Sequence, residues 1–202
     1  MELKKKPICV FDMDGVISRT HYALEKELKK NYPQFSLNNV FTYNFNQDLS
    51  EIEKQLLGVP CDIIFKEFRK TTVFEEAEIA PFFLDFIEKN KDKYDFIIHS
   101  LAFSDEVAKT KKNWLKEKLG DRLNYFKDII IVIGNNKPAL DNVDYIFEDS
   151  LKQLKKYDDT YPNTKLVLYD MPFNRPQFNN SYKNILDKCK RIYNFNINLE
   201  TI

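Results

Sequence analysis

The chain has 202 residues, of which 43% are hydrophobic and 14% aromatic, enough for one sizeable core and a small appended subdomain. Its 31 basic and 31 acidic residues balance, which argues against extended nucleic acid as a partner, and no apolar segment reaches the roughly 20 residues of a membrane span. The three cysteines lack metal-ligand spacing and no signal peptide is apparent, so we expect a cytoplasmic protein with reduced thiols and no membrane contact.

Short apolar runs, each bounded by turn residues, recur along the chain and predict buried strands. A run without polar alternation is typical of a strand covered on both faces, as in a parallel sheet. Helical patterns separate most of the runs, and this alternation predicts an α/β fold with a doubly wound parallel sheet. The predicted strands cover residues 8–11, 96–98, 129–133, 145–147 and 166–169.

The first predicted strand leads into two carboxylates, in the run Phe11-Asp12-Met13-Asp14-Gly15-Val16. Asp12 can act as a nucleophile that becomes an aspartyl-phosphate. Asp14 can give a proton to a leaving alcohol and then activate water. Gly15 permits a sharp turn where a side chain would crowd the site. The alternative interpretation is an ordinary Asp-rich turn, since Asp and Gly are common turn residues.

Segment 20–80, between the first two predicted strands, has no strong strand pattern. Because open α/β sheets bind ligands at the carboxyl ends of their strands, a helical insertion here would cover the site. We therefore predict a helical cap at 20–80, which shields the site from water, over a catalytic core of residues 1–19 and 81–202. The alternative is a helical part of the core. Helical stripes appear at Leu24/Leu28, Ile52/Leu56 and Ile63/Phe68.

The aromatic run 41–45 within the predicted cap is a candidate for stacking on a nucleobase. Its alternative role is to pack the small core of the cap itself. Further helices are predicted downstream, one of them begun by Ser104 and stopped by Gly120. The apolar stripes of these helices are Phe83/Phe86/Ile87, Val107/Trp114/Leu115, Leu151/Leu154 and Ile185/Cys189/Ile192.

Polar side chains also follow the later strands. Ser100 ends the second strand, where its hydroxyl can bond a phosphate oxygen, whereas His99 should face the opposite side as a packed or hydrogen-bonded histidine. Lys137 follows the third strand and can neutralise both a phosphate and Asp12. Taken singly, Ser100 and Lys137 each have an ordinary structural explanation. Together with the aspartates after the first strand and the acids that close the fourth, they place polar groups at four successive strand ends, which indicates one site.

The fourth strand closes with adjacent acids, Glu148 and Asp149. Asp149 with Asp12 would make a hard oxygen site for Mg²⁺, completed by the backbone carbonyl of Asp14, waters and the phosphate. The alternative for the acidic pair is helix N-capping. The spacing thus predicts a magnesium cofactor and a small-molecule phosphate ester as the partner.

These motifs resemble, in order, those of haloacid dehalogenase (HAD) superfamily phosphatases. Finer features, spanning about residues 7–190 but weak through the insertion, resemble the 5'(3')-deoxyribonucleotidase family. They are Lys111-Lys112-Asn113-Trp114-Leu115 with Leu119-Gly120, Asn136-Lys137 with Asp144-Tyr145-Ile146-Phe147-Glu148-Asp149, and Tyr169-Asp170-Met171-Pro172-Phe173-Asn174-Arg175.

The resemblance implies an HAD-like Rossmannoid core and a Mg²⁺-dependent phosphomonoesterase that releases phosphate from (deoxy)ribonucleoside monophosphates. Asp12 would be the nucleophile and Asp14 the acid and base, with Ser100 and Lys137 on the phosphate. Asp12, Asp14 and Asp149 would hold the metal. Glu148 would stand behind these ligands.

The chain departs from the family around the substrate. Ile17-Ser18-Arg19-Thr20 replaces an aliphatic-Ala-Asp-aromatic run, Asn135 replaces a basic residue, and Glu148 replaces an Asp. Two alternatives therefore stay open: a phosphatase of the same superfamily that acts on a non-nucleotide small phosphate ester, and a non-enzymatic phosphometabolite-binding protein. A homodimer also stays open.

Overall fold

The computed structural model describes residues 5–40, 58–176 and 179–202. The strands in these ranges are β1 (Ile8–Phe11), β2 (Asp95–Ala102), β3 (Phe126–Ile133), β4 (Tyr145–Glu148), β5 (Lys165–Tyr169) and β6 (Lys190–Ile192). All pair in parallel, in the order β3-β2-β1-β4-β5-β6. The strand order reverses at β1, which creates a crevice beyond the carboxyl ends of β1 and β4.

Helices connect most of these strands. Ser104 accepts a hydrogen bond from the N–H of Val107 at the start of the longest helix, and Gly120, with φ of 53°, ends it, as predicted. No described helix is long and apolar enough to cross a membrane. The α-helices are α1 (Thr20–Leu28), α2 (Cys61–Phe68), α3 (Thr71–Glu75), α4 (Phe83–Asn90), α5 (Asp105–Leu119), α6 (Leu151–Thr160) and α7 (Lys183–Lys188).

Apart from the edge strand β3, the sheet is covered on both faces, which confirms the predicted doubly wound α/β architecture. Alternate β1 residues point to opposite sides, so that Phe11 joins one buried cluster with α4 and α5, and Val10 joins another with α6 and α7. Phe11 stacks on Phe147 of β4, with ring centroids 4.6 Å apart, and meets Phe83 edge-on at 5.5 Å. This aromatic packing fixes β1 and β4 beneath the crevice.

The described part of segment 20–80 is helical, with α1, a 3-10 turn at Leu37–Asn39, α2 and α3. Leu24 and Leu28 are buried as the stripe predicts, whereas Ile64 rather than Ile63 is the buried residue of α2. The aromatic run 41–45 and the Ile52/Leu56 stripe lie outside the described residues. The division into a core at 1–19 and 81–202 and a cap at 20–80 stays a prediction.

Three sequence-based expectations differ from the structure. β2 continues to Ala102, so Ser100, which the sequence predicts at the end of this strand, lies within it. The helix predicted across Ile185, Cys189 and Ile192 ends at Lys188, and Cys189 adopts an extended conformation that leads into β6. β6 is only three residues long, too short for a recognisable pattern, and forms because β5 offers it an open edge. The sequence also predicts that the strand at 129–133 is buried on both faces, whereas β3 is an edge strand and its Ile133 is 50% exposed.

Candidate active site

The loop after β1 is a tight turn that brings two carboxylates to the crevice. The N–H of Asp12 donates to the carbonyl of Phe147 at 2.9 Å, and the Met13 carbonyl accepts hydrogen bonds from the N–H groups of residues 17 and 18. Gly15 has φ of 74°, and a Cβ there would lie 2.1 Å from Oδ2 of Asp149. Glycine is therefore required on both backbone and steric grounds.

The first charged cluster of the site is centred on Lys137, in the loop after β3. Its Nζ donates to Oδ1 of Asp12 at 2.6 Å and to Oε2 of Glu148 at 2.8 Å, and its side chain is only 6% exposed. Burial alone disfavours the ammonium charge, but attraction to Asp12 and Glu148 outweighs it and raises the pKa of Lys137. Lys137 thus stays charged beside the predicted nucleophile.

Asp12, Glu148 and Asp149 form an acidic group suited to a divalent cation. All three are buried, and each offers a carboxylate oxygen within 4.8 Å of the others. Neither carboxylate oxygen of Asp149 accepts a hydrogen bond from the described residues, an arrangement costly for a buried carboxylate. Burial first, then the charges of Glu148 and Asp12, raises the pKa of Asp149 well above its usual range. A bound Mg²⁺ would remove that penalty, so these residues fit the metal.

Glu148 differs from Asp149 because Lys137 already engages it. Burial, and secondarily Asp12, raises the pKa of Glu148 to about 7, with Lys137 acting in the opposite direction. Its other oxygen, Oε1, accepts a hydrogen bond from the N–H of Ser150 at 3.3 Å. These contacts fit the predicted place of Glu148 behind the metal ligands rather than among them.

A second lysine, Lys111 of α5, forms the other charged cluster. Its Nζ donates to Oδ2 of Asp14, to the hydroxyl of Ser100 at 3.1 Å and to the carbonyl of Leu101. Thr20 donates from the opposite side to Oδ1 of Asp14 at 3.1 Å. Lys111 therefore contacts both Asp14, the predicted acid, and Ser100, the predicted phosphate ligand.

Asp14 is suited to carry a proton. Burial raises the pKa of its carboxyl, Lys111 lowers it, and the negative charge of Asp12 raises it further, with a net increase above the ordinary value. A carboxyl group with a raised pKa is a better proton donor near neutral pH than an ordinary aspartate. The turn thus gives two aspartates, two residues apart, different surroundings.

His99 lies away from this crevice, as the alternation of β2 predicts. It is fully buried, and its Nδ1 shares a hydrogen bond of 2.8 Å with the hydroxyl of Tyr157 on α6. Burial, and then the charge of Lys137, lowers the pKa of His99 to about 4. The residue is neutral and structural.

Sequence reasoning assigned no site role to Lys111 or His21. Lys111 follows Val107 by four residues and precedes Trp114 by three, so it lies within the apolar stripe of α5, the one available signal that it is buried. His21 precedes Leu24 in the stripe of α1, and its Nδ1 is 3.8 Å from Oδ2 of Asp149. Burial lowers the pKa of His21 to about 4.

An aromatic cluster of Phe68, Phe74 and Phe103 adjoins the Lys111 side. The ring of Phe68 lies 5.8 Å from each of the other two rings, and Nζ of Lys111 lies 5.1 Å from the centroid of Phe74. Phe103 is 46% exposed, with the guanidinium of Arg69 5.5 Å from its centroid. An apolar surface with a cation therefore borders the site.

The structure brings all the predicted site residues together at the carboxyl edge of the sheet. Asp12, Lys137, Glu148 and Asp149 form one group, and Asp14 and Ser100 join through Lys111. Asn174, in the late loop after β5, donates to the carbonyl of Asp149 at 2.9 Å and so ties this loop to the acidic pair.

No protein-family model and no curated protein sequence matches this chain. Solved structures share its fold. One is a haloacid dehalogenase-like family hydrolase from Streptococcus pneumoniae, with a TM-score of 0.57, 14% identity and 94% of each chain covered. Another is a variant of CbbY from Rhodobacter sphaeroides in complex with xylulose-(1,5)bisphosphate, with a TM-score of 0.54, 13% identity and 95% of each chain covered.

A third similar structure is the HAD-hydrolase YfnB from Bacillus subtilis bound to magnesium, with a TM-score of 0.50 and 16% identity over 90% of this chain and 99% of that one. At these identities the likeness establishes a HAD-like fold. The finer resemblance to 5'(3')-deoxyribonucleotidases stays a prediction.

Proposed function

We propose that this protein is a Mg²⁺-dependent phosphomonoesterase that works through a phospho-Asp12 intermediate. The observation that carries the proposal is the pairing of two buried lysines with two aspartates of one turn, Lys137 with Asp12 and Lys111 with Asp14. The HAD-like fold supports a phosphatase, since one similar structure holds a sugar bisphosphate and another holds magnesium. Fold alone does not fix activity, so the argument rests on the site.

In the first step a carboxylate oxygen of Asp12 attacks phosphorus in line with the leaving alcohol. The bond from phosphorus to the ester oxygen breaks, and Asp14 gives its proton to that oxygen. The products are phospho-Asp12 and the free alcohol. The raised pKa of Asp14 suits it to this role, because the acid must hold a proton before the step.

In the second step Asp14, now ionised, takes a proton from water as the water oxygen attacks phosphorus. The bond between phosphorus and Asp12 breaks, which releases inorganic phosphate and returns both aspartates to their starting states. Lys137 and the hydroxyl of Ser100 hold the charge of the transferring group in both steps.

Asp12, Asp149 and the backbone carbonyl of Asp14 would hold Mg²⁺, and Glu148 would anchor Lys137 beside them. When bound, Mg²⁺ supplies positive charge that offsets the charge on the phosphate oxygens. The buried Asp149 carboxylate, which accepts no hydrogen bond within the described chain, supports this ligand set.

For the substrate we propose a nucleoside monophosphate, preferably a deoxyribonucleotide. The aromatic cluster supports it, because Phe103 is 46% exposed and is joined through Phe68 to Phe74, whose ring lies 5.1 Å from Nζ of Lys111, so that a base could stack on Phe103. A non-nucleotide phosphate ester is the second candidate, favoured by the sugar bisphosphate in the similar CbbY structure. A cytoplasmic location is proposed as well, since the three cysteines form no disulfide with one another.

Phosphate release from nucleoside monophosphates, sugar phosphates and p-nitrophenyl phosphate, with and without Mg²⁺, tests the activity. We expect turnover that requires Mg²⁺. Absence of turnover with every ester would leave only a phosphometabolite-binding protein and overturn the proposal.

Phe103→Ala tests the substrate class, with Phe82→Ala as the control because Phe82 is also exposed. A stacking residue is worth about 1–3 kcal/mol, so the Phe103 variant should raise KM for the nucleotide and spare p-nitrophenyl phosphate. Equal changes for both substrates would favour the non-nucleotide candidate.

A further inference from the structure

Lys111 occupies an unusual position for a helix lysine. Its side chain is 1% exposed, and its ammonium group lies among three oxygen acceptors rather than in water. Burying an ammonium group costs several kcal/mol unless it is paired and hydrogen-bonded, so its position needs a compensating set of contacts. The contacts it has are to groups with proposed roles in the reaction.

The rest of α5 holds Lys111 in place. One turn further along, Nε1 of Trp114 donates to the carbonyl of Ala77 at 2.7 Å, which ties the helix to the end of segment 20–80. Trp114 and Leu115 are buried in the same cluster as β1. Lys111 therefore reaches the site from a rigid element, whereas Lys137 reaches it from a loop.

The two oxygens of Asp14 are held from opposite sides. Lys111 donates to Oδ2 and Thr20 donates to Oδ1, so the plane of the carboxyl group is fixed. Lys111 also donates to the hydroxyl oxygen of Ser100. Within the described ranges, the contact left for the hydroxyl proton of Ser100 is a long one of 3.5 Å, to the carbonyl of Leu101, so the hydroxyl can turn toward a phosphate oxygen.

From this geometry we propose that Lys111 is a positioning residue that acts through Asp14 and Ser100. It aims the carboxyl of Asp14 at the leaving oxygen and orients the hydroxyl of Ser100 as a donor to the phosphate. The inference rests on the proposed phosphomonoesterase function. It differs from the role of Lys137, which contacts the nucleophile and not the acid.

Four variants test the inference: Lys111→Met, Lys111→Arg, Asp14→Asn and the double variant of Asp14→Asn with Lys111→Met. Lys112→Met is the control, because Lys112 is the exposed neighbour. Each is assayed with an alkyl phosphate, whose leaving group needs a proton, and with p-nitrophenyl phosphate, whose leaving group needs little. Circular dichroism and thermal unfolding report on the fold of each variant.

Lys111→Met should lower kcat on the alkyl phosphate by about 10²-fold, toward the effect of losing a positioned acid, and on p-nitrophenyl phosphate by less than about ten-fold. Lys111→Arg should recover part of the alkyl phosphate activity, since it keeps the charge with a different shape. The double variant should be slower on the alkyl phosphate than Asp14→Asn alone by less than about ten-fold, the factor that Lys111→Met costs on p-nitrophenyl phosphate through Ser100, because the larger part of the lysine's effect acts through the aspartate.

Equal losses on the two substrates, or full multiplication of the two losses in the double variant, would overturn the inference. If Lys111→Met does not fold, the ratio of the two activities in Lys111→Arg decides by the same criterion. Failure of the proposed function is distinct: it would show as wild-type protein without phosphatase activity, or as activity that survives Asp12→Asn.

Discussion

Lys137 and Lys111 are both buried cations next to an aspartate of the β1 turn, yet they engage different partners. Lys137 lies between two carboxylates, Asp12 and Glu148, whereas Lys111 lies between one carboxylate and two uncharged oxygens. The first arrangement concentrates charge around Asp12, the proposed nucleophile. The second fixes the orientation of Asp14, the proposed acid. Each aspartate of one short turn thus has its own lysine, which supports the separate tasks proposed for them.

Asp12 is the proposed nucleophile, so its removal should have the largest effect. Asp12→Asn keeps nearly the same shape but removes the nucleophile, and we expect kcat to fall by at least about 10⁴-fold with the fold retained. Phosphate release and circular dichroism measure the two properties. A well-folded variant with near-normal turnover would show that Asp12 is not the nucleophile.

Lys137→Met sharpens the contrast with Lys111. Loss of a preorganised cation at the transferring group should lower kcat by about 10²–10³-fold, and by a similar factor for the alkyl phosphate and for p-nitrophenyl phosphate. Lys152→Met, an exposed lysine on α6, is the control. A loss confined to the alkyl phosphate would assign proton transfer to the Lys137 side and reverse the comparison.

Substitutions of Glu148 and Asp149, the adjacent acids at the end of β4, should differ in their effect on the Mg²⁺ requirement. Asp149→Ala should raise the Mg²⁺ concentration for half-maximal activity by more than about 100-fold, while Glu148→Gln, which acts through Lys137, should change it by less than about ten-fold. Stabilisation of the substrate-free protein against heat by Mg²⁺ gives a second readout. The opposite ranking would make Glu148 the ligand.

The smallest expected effect concerns stability against pH, through His99 behind Lys137. The pKa of His99 is lowered from 6.5 to about 4, by burial and then by Lys137. Between these pH values the unfolded chain binds more protons than the folded one. The free energy of unfolding should therefore fall as pH drops from 6.5 to about 4.

Urea unfolding at several pH values, with wild-type protein and His99→Asn, isolates this contribution. Other groups, among them His21, titrate in the same range, so the difference in slope between the two proteins is the relevant quantity. The variant should have the shallower slope. Identical slopes would mean that His99 is not held neutral.

The sequence by itself predicted the first five strands and the candidate site residues that lie at or near their carboxyl ends. Continuous apolar runs such as 8–11 are local signals, and in a parallel sheet residues that follow successive strands meet at one edge. Asp12, Ser100, Lys137 and Asp149 could therefore be found without coordinates. The tight turn at Gly15 could also be predicted from the sequence, because glycine is the residue that tolerates a positive φ.

Only the tertiary structure decided the position of Lys111 beside Asp14 and Ser100, the position of His21 and the existence of β6. A lysine within the apolar stripe of α5 has no partner on its own helix, and the packing of α5 against β2 and β3 is what brings it to Asp14 and Ser100. β6 forms because residues 190–192 pair with the open edge of β5. Contacts between distant segments determine all three features, and the local sequence pattern does not reveal such contacts.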